Sequence, residues 1–220
     1  MTIIKNSLKK IDRLDAVTLA LLGFGAAVTA AVYPRLPARI PVHFNIHAVA
    51  DGWMDKPLGA TILLASAAFT GLLVRFGGFL LPRGARERMN ASPVKLVTLL
   101  TIGLLVSLQL MILDAALHDR VTIGRPLSIV LGVYWIVLAQ VLPRVRRNPF
   151  IGIRTAWTLS SDENWARTHR FGARTFTLGG VAALLAALAG LPALAITAIL
   201  VSALAPVVWS LVVAHRLPPT

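Results

Sequence analysis

The chain has 220 residues, of which 56% are hydrophobic and only 14% charged, with no cysteine and a formal net charge of +13. A soluble domain carries nearer a quarter charged residues, and the lack of cysteine excludes disulfides, thiol chemistry and cysteine-based zinc sites. With a mean hydropathy of +0.74 and several apolar runs near the ~20 residues that cross a bilayer as a helix, the sequence predicts an all-α, polytopic integral membrane helical bundle.

Six spans are expected, approximately Ala16–Tyr33, Leu58–Leu81, Val94–Leu117, Leu127–Leu142, Thr175–Leu191 and Leu194–Val213. The first follows Lys5, Lys9, Lys10 and Arg13. Its apolar run is longer than the ~7–15 residues of a signal h-region, so it reads as a retained span. The outer loop, 34–57, begins with Pro34, Pro37 and Pro41, which force extended or turn geometry. His43, Asn45, His47, Asp51 and Asp55 follow; Asp51-Gly52 is a turn signal, and Trp53 suits the headgroup level. His43, His47 and Asp51 are residue types that ligate zinc. The His-x-x-x-His pair nonetheless lacks the Glu of a zinc-protease helix, and the other reading is a polar turn that satisfies its own backbone.

Charges inside apolar runs are functional candidates, so each needs placing. Arg75 lies about 26 Å along the second span and Asp114 about 30 Å along the third. Because the two spans run in opposite directions, these residues sit on opposite sides of the bilayer and cannot pair. Gln109 and Gln140 alone do not define a transport pathway.

After the short fourth span, the inner loop 143–174 opens with Arg144, Arg146 and Arg147, a juxtamembrane cluster suited to anionic headgroups. Asn148-Pro149 turns the chain, and residues 150–159 read as a short extended or re-entrant segment. Ser160 and Glu163 fit a capping box, and the helix that follows is expected to continue into the fifth span. Trp165, His169, Gly172 and Phe176 share one face of it, while Arg167, Arg170 and Arg174 share another. His169 near Asp162 or Glu163 offers a base, but no nucleophile is fixed beside it with an orienting third group. Gly179, Ala183 and Ala187 permit close helix approach, Gly190-Leu191-Pro192 turns the chain into a hairpin, and Pro206 is expected to kink the sixth span.

Basic residues concentrate in the terminal and even-numbered connecting segments. By the positive-inside rule this places both termini in the cytoplasm. The bias explains the sequence pI near 11.6 without nucleic acid, and no direct nucleic-acid binding is expected.

Two stretches carry a resemblance. "IPVHFNIHAVADGWMDK" resembles the Pro-x-His-Phe-Asn…Asp-Gly-Trp motif of DUF1648, through His43, Asn45, Asp51 and Gly52. Ala48 stands where that family usually has Gly, and His47 where it has a small residue. "NPFIGIRTAWTLSSDENWARTHRFG" resembles the SdpI-family signature through Asn148, Gly152, Arg154, Thr155, Trp157, Thr158, Leu159, Trp165, Thr168, His169 and Arg170. Ala156 replaces its usual proline. On this likeness residues 1–81 form a DUF1648-like region and 82–220 an SdpI-like region.

The resemblance implies a multi-pass protein of the bacterial cytoplasmic membrane that confers immunity to a secreted membrane-active toxin peptide. It also implies a receptor that recruits a cytoplasmic transcriptional repressor. The implied partners are the lipid bilayer, a toxin peptide outside and the repressor inside, with no cofactor; self-association stays open. The residues alone leave two other classes standing: a small-molecule or peptide transporter, and a metal-dependent membrane enzyme built on the outer His/Asp loop.

Overall fold

The computed structural model describes residues 12–77, 91–149 and 151–216. The N-terminal lysines, Arg83, Arg86, Arg88 and the end of the second expected span therefore lie outside the described residues, as does the boundary between the two expected regions.

Helix α1 (Arg13–Val32) begins at Asp12, whose side chain accepts from the Asp15 N–H while Asp15 reaches back to the Asp12 N–H. This reciprocal cap satisfies two of the free N–H groups at a helix start. A 3-10 turn, Tyr33–Arg35, leads into an antiparallel hairpin of β1 (Arg39–Phe44) and β2 (Ala50–Asp55). A short helix α2 (Lys56–Gly59) then breaks at Ala60-Thr61 before α3 (Ile62–Gly77). The second span thus starts later than expected. The break leaves the Ala60 carbonyl without a helical donor; Gln109 Nε2 supplies one at 2.6 Å. Gln109 is fully buried, and its Oε1 has no hydrogen-bond partner among the described residues.

The remaining helices are α4 (Ala91–Leu117), α5 (Gly124–Val141), α6 (Ala156–Ser160), α7 (Asp162–Leu188) and α8 (Pro192–Arg216). Among the described residues five helices are long and apolar enough to cross a membrane, and α3 is a shorter apolar one. This is a multi-pass membrane protein. As expected, α7 runs unbroken from the inner loop through the fifth span. It ends where Gly190 takes φ +71, which lets the Leu191 N–H return to the Ala186 carbonyl at 2.9 Å.

The helices pack as two groups of three. In the first, α1, α3 and α4 enclose Ala67, Ile102 and Val106; in the second, α5, α7 and α8 enclose Ala183, Ala186, Ala195 and Ile199. Gly132 of α5 and Gly180 of α7 meet backbone to backbone: a Cβ on Gly180 would lie 2.7 Å from the Gly132 carbonyl oxygen. Gly179, Ala183 and Ala187 are buried as their spacing predicted. The groups join at α4 and α5, where Thr101 Oγ1 and Tyr134 Oη lie 3.3 Å apart and Val97, Val141, Val145 and Trp165 form one apolar cluster.

The charges sort by end. At the basic end Asp15 lies between Arg75 (3.6 Å) and Lys95 (2.8 Å), tying α1, α3 and α4 together. The Lys95 ammonium, hydrogen-bonded to Asp12 at 2.6 Å, holds that carboxyl below its ordinary pKa, helped by the Asp15 N–H. Asp114 instead pairs with His118 and Arg120 at the hairpin end. Arg75 and Asp114 are thus separated as expected.

Candidate functional site

The inner-loop motif folds into a buried polar knot at the basic end. Asn148 starts it: its amide donates to the carbonyls of Arg146 (2.8 Å) and Ile151 (3.0 Å), and its oxygen accepts from the Ile151 N–H (2.8 Å). These bonds fix the turn after the arginine cluster. Gly152 follows at φ +127, where a Cβ would sit 2.5 Å from His169 Nε2 and 2.8 Å from the Trp165 ring. Glycine is therefore required twice, by backbone and by space. Thr155 caps α6 through reciprocal bonds with Thr158, whose hydroxyl also donates to the Ile153 carbonyl at 2.8 Å.

His169, 1% exposed, closes the knot. Its Nδ1 faces the Trp165 carbonyl at 2.8 Å, and its Nε2 accepts the Ile153 N–H at 3.1 Å. A carbonyl needs a donor and an N–H needs an acceptor, so the ring is the neutral Nδ1–H tautomer with both nitrogens occupied. Trp165 stacks on it with centroids 4.1 Å apart and donates its indole N–H to the Val145 carbonyl at 2.7 Å. Such a histidine has no nitrogen left for proton transfer. The expected base is consumed by the fold.

Two residues of the knot escaped the sequence reading. Asn164 donates to the Ser210 carbonyl (3.0 Å) and accepts from Thr168 (2.9 Å), while the Ser210 hydroxyl meets Thr155 Oγ1 at 3.1 Å. These bonds fasten α6 and α7 to α8. The local signals were a serine among the apolar residues of α8 and an asparagine inside a polar stretch, and neither reveals a partner 46 residues away.

Other expectations need correction. The helix cap is Ser161, not Ser160: Ser161 Oγ accepts from the Asn164 N–H at 3.2 Å, Ser160 donates to the Trp157 carbonyl, and Glu163 pairs with Arg167. Residues 156–160 are the helix α6 rather than an extended strip, because the Thr155–Thr158 cap can form only there.

The rest of the motif faces outward. Trp157 is 41% exposed, Arg154 and Arg170 are exposed, and Arg147 holds the loop by donating to the Leu159 carbonyl (2.7 Å) and pairing with Asp162 (2.6 Å). The motif therefore divides into a saturated interior and a cationic, aromatic rim.

At the hairpin end, Asn45 organises the turn: its Oδ1 accepts from the N–H groups of His47 (2.9 Å) and Val49 (3.2 Å). Ala48, fully buried, adopts φ +56, the left-handed conformation that explains why glycine is usual at this motif position. The turn is thus 45–49. Asp51-Gly52, expected to turn, lies in β2, where Gly52 faces His43 across the strands and its bare Cα leaves room for that side chain. His43 Nδ1 meets Asp51 Oδ1 at 2.5 Å, and Trp53 is exposed. His47 contributes its backbone to the turn, and no group of three or more His, Asp or Glu among the described residues is disposed to hold a metal. The zinc reading thus reduces to a His43–Asp51 pair. The Ala50 N–H donates to the Val121 carbonyl and the Ile123 N–H to the Ala48 carbonyl, so the hairpin is sewn to the α4–α5 connection.

Comparison with known proteins fits this division. Residues 144–213 match the SdpI/YfhL protein family and residues 20–67 match a domain of unknown function, DUF1648. Over residues 144–213 the chain is thus similar to the SdpI/YfhL family. It is 26% identical over 149 residues to Immunity protein SdpI of Bacillus subtilis (strain 168), covering 68% of this chain and 69% of that protein. No solved structure matches it. The matched segment 144–213 spans the polar knot from Asn148 to Ser210, and the DUF1648 segment contains the hairpin.

Proposed function

We propose that this chain is an immunity protein of the bacterial cytoplasmic membrane, protecting its host from a secreted membrane-active peptide. The hairpin end faces outward, where His43, Asp51 and Trp53 meet the peptide, and the basic end faces the cytoplasm. The likeness to Immunity protein SdpI over two thirds of both chains carries this reading. The polar knot favours this over catalysis, because among the described residues its buried donors and acceptors are spent on one another.

Expression in a sensitive bacterium followed by challenge with a panel of membrane-active peptides tests the proposal. Survival against at least one peptide, lost on replacing residues 43–53 with a Gly-Ser linker of equal length, is the expected result. Killing unchanged by expression across the panel overturns it.

A second, signalling role is favoured by the rim. Arg170 makes no hydrogen bond or ion pair among the described residues and, with exposed Arg154 and Trp157, gives a fixed cationic and aromatic face. We infer that it recruits an acidic surface of a cytoplasmic repressor. Crosslinking from Trp157 in toxin-treated cells is expected to capture a DNA-binding regulator; capture of none, with or without toxin, sinks the role.

A further inference from the structure

A groove between α5 and α7 opens towards the basic end, lined by Ala139, Gln140 and Pro143 on one side and Arg174, Thr177 and Leu178 on the other. Its depth follows from the hairpin end. Arg125 donates to the carbonyls of Ala187 (3.2 Å) and Leu188 (3.5 Å), so the start of α5 and the end of α7 share a level. From that level Arg174 lies about 21 Å along α7 and Gln140 about 22 Å along α5, at ~1.5 Å per residue. With that level taken as the hairpin-side edge of a hydrocarbon core ~30 Å thick, the Arg174 backbone falls within the core, short of the basic-end boundary. Its stem can carry the guanidinium to the headgroups.

Arg174 is exposed and makes no hydrogen bond or ion pair among the described residues. Other arginines are committed instead: Arg125 to helix carbonyls at the hairpin end, and Arg147 to Asp162 and Arg167 to Glu163 at the basic end. A guanidinium does not deprotonate, and a charge at this depth needs a counterion. None comes from the described residues, which points to the surroundings as its source. Beyond Arg174 the groove continues over Leu178, 70% exposed, as an apolar floor. A free anion has no use for such a floor; an acyl chain does. Arg170, one turn nearer the basic end, is also exposed and unpaired among the described residues. Two cations with no free carboxylate beside them among the described residues favour a headgroup of net negative charge over one that carries an ammonium.

We propose that this groove seats an anionic phospholipid. Arg174 grips the phosphodiester through paired N–H donors, the exposed Gln140 amide adds a second donor, and one acyl chain lies over Leu178. Arg174 and Leu178, which the test addresses, lie outside the rim assigned to the repressor, as does Gln140.

The full chain, purified from vesicles of equimolar phosphatidylglycerol and phosphatidylcholine, is washed in detergent and its retained lipid measured by native mass spectrometry. A cation at a membrane surface is worth on the order of a fivefold preference for anionic lipid, so phosphatidylglycerol is expected in about that excess. Arg174→Gln is expected to bring the ratio to parity, and Arg174→Lys to restore part of it. Leu178→Trp keeps the charge but fills the apolar floor at a lipid-facing position, and is expected to lower the total lipid retained; it decides the matter if Arg174→Gln does not fold. Parity in the unmodified chain, an unchanged ratio in Arg174→Gln, unchanged retention in Leu178→Trp, or displacement of the lipid by inorganic phosphate each overturn the proposal.

Discussion

Gly152 and His169 form a matched pair, because the missing Cβ of one is the space filled by the Nε2 of the other. Substituting Gly152 by Ala combines a backbone conformation that costs on the order of 1–3 kcal/mol for a side-chain-bearing residue with displacement of the imidazole. Removing His169 leaves the buried Ile153 N–H without its acceptor, a loss of about 1–3 kcal/mol, and empties the space beside Trp165. The two changes should therefore be non-additive: Gly152→Ala is expected to cost less in a His169→Ala background, since the clash has gone and only the backbone strain remains. Thermal unfolding of the four proteins in one detergent measures this, and strict additivity contradicts the contact. Ala48 presents the opposite balance. Its left-handed backbone costs ~1–2 kcal/mol, but its methyl is buried beside Ala115 and Ile123, worth ~0.8 kcal/mol, and glycine adds freedom to the unfolded chain. Ala48→Gly should be near neutral, whereas Ala48→Val, β-branched at positive φ, should destabilise clearly.

At the scale of elements, Pro206 sits inside α8 and cannot donate to the Ser202 carbonyl one turn earlier. Thr175 of α7 donates to that carbonyl at 3.1 Å, so a bond lost within one helix becomes a bond between two. Thr175→Val is expected to cost about 0.6–1.7 kcal/mol, the range for interhelical bonds in membranes. In a Pro206→Ala background the helix regains its own donor, and the same substitution should cost less; equal losses in both backgrounds would rule out the exchange. The carbonyl freed by Pro206 was legible from the sequence because proline acts locally, and its rescuer was not, because Thr175 lies 27 residues away. The same distinction holds elsewhere. The continuity of α7 followed from its period, and its buried face of Trp165, His169, Gly172 and Phe176 is the one the spacing gave. The hairpin did not follow, because its turn depends on the Asn45 side chain and on an alanine in a conformation normally marked by glycine. The Ser-x-x-Glu pattern misplaced the helix start by one residue because Arg167 takes Glu163 and leaves Ser160 no reciprocal partner.

At the scale of the molecule, every described helix end belongs to one of two faces, and the salt bridges and apolar clusters fix which. Asp15, Arg75 and Lys95 meet at the same end as Val97, Val145 and Trp165, while Ala48, Ala115 and Ile123 meet at the other. The knot and the hairpin are therefore on opposite sides of whatever membrane the bundle spans. Only the direction remains to be fixed, and the positive-inside bias of the sequence predicts the knot on the cytoplasmic side. The chain holds no cysteine, so single introduced thiols report without background. His47→Cys places one at the exposed hairpin turn, and Ser160→Cys one at the exposed end of α6. A membrane-impermeant maleimide added to intact cells is expected to label Cys at position 47 and not at 160, with 160 becoming reactive once the membrane is opened. The reverse pattern would invert the topology and move the peptide-facing role from the hairpin to the arginine rim. Labelling of both in intact cells would contradict the separation of the two ends, which follows from the helix packing itself.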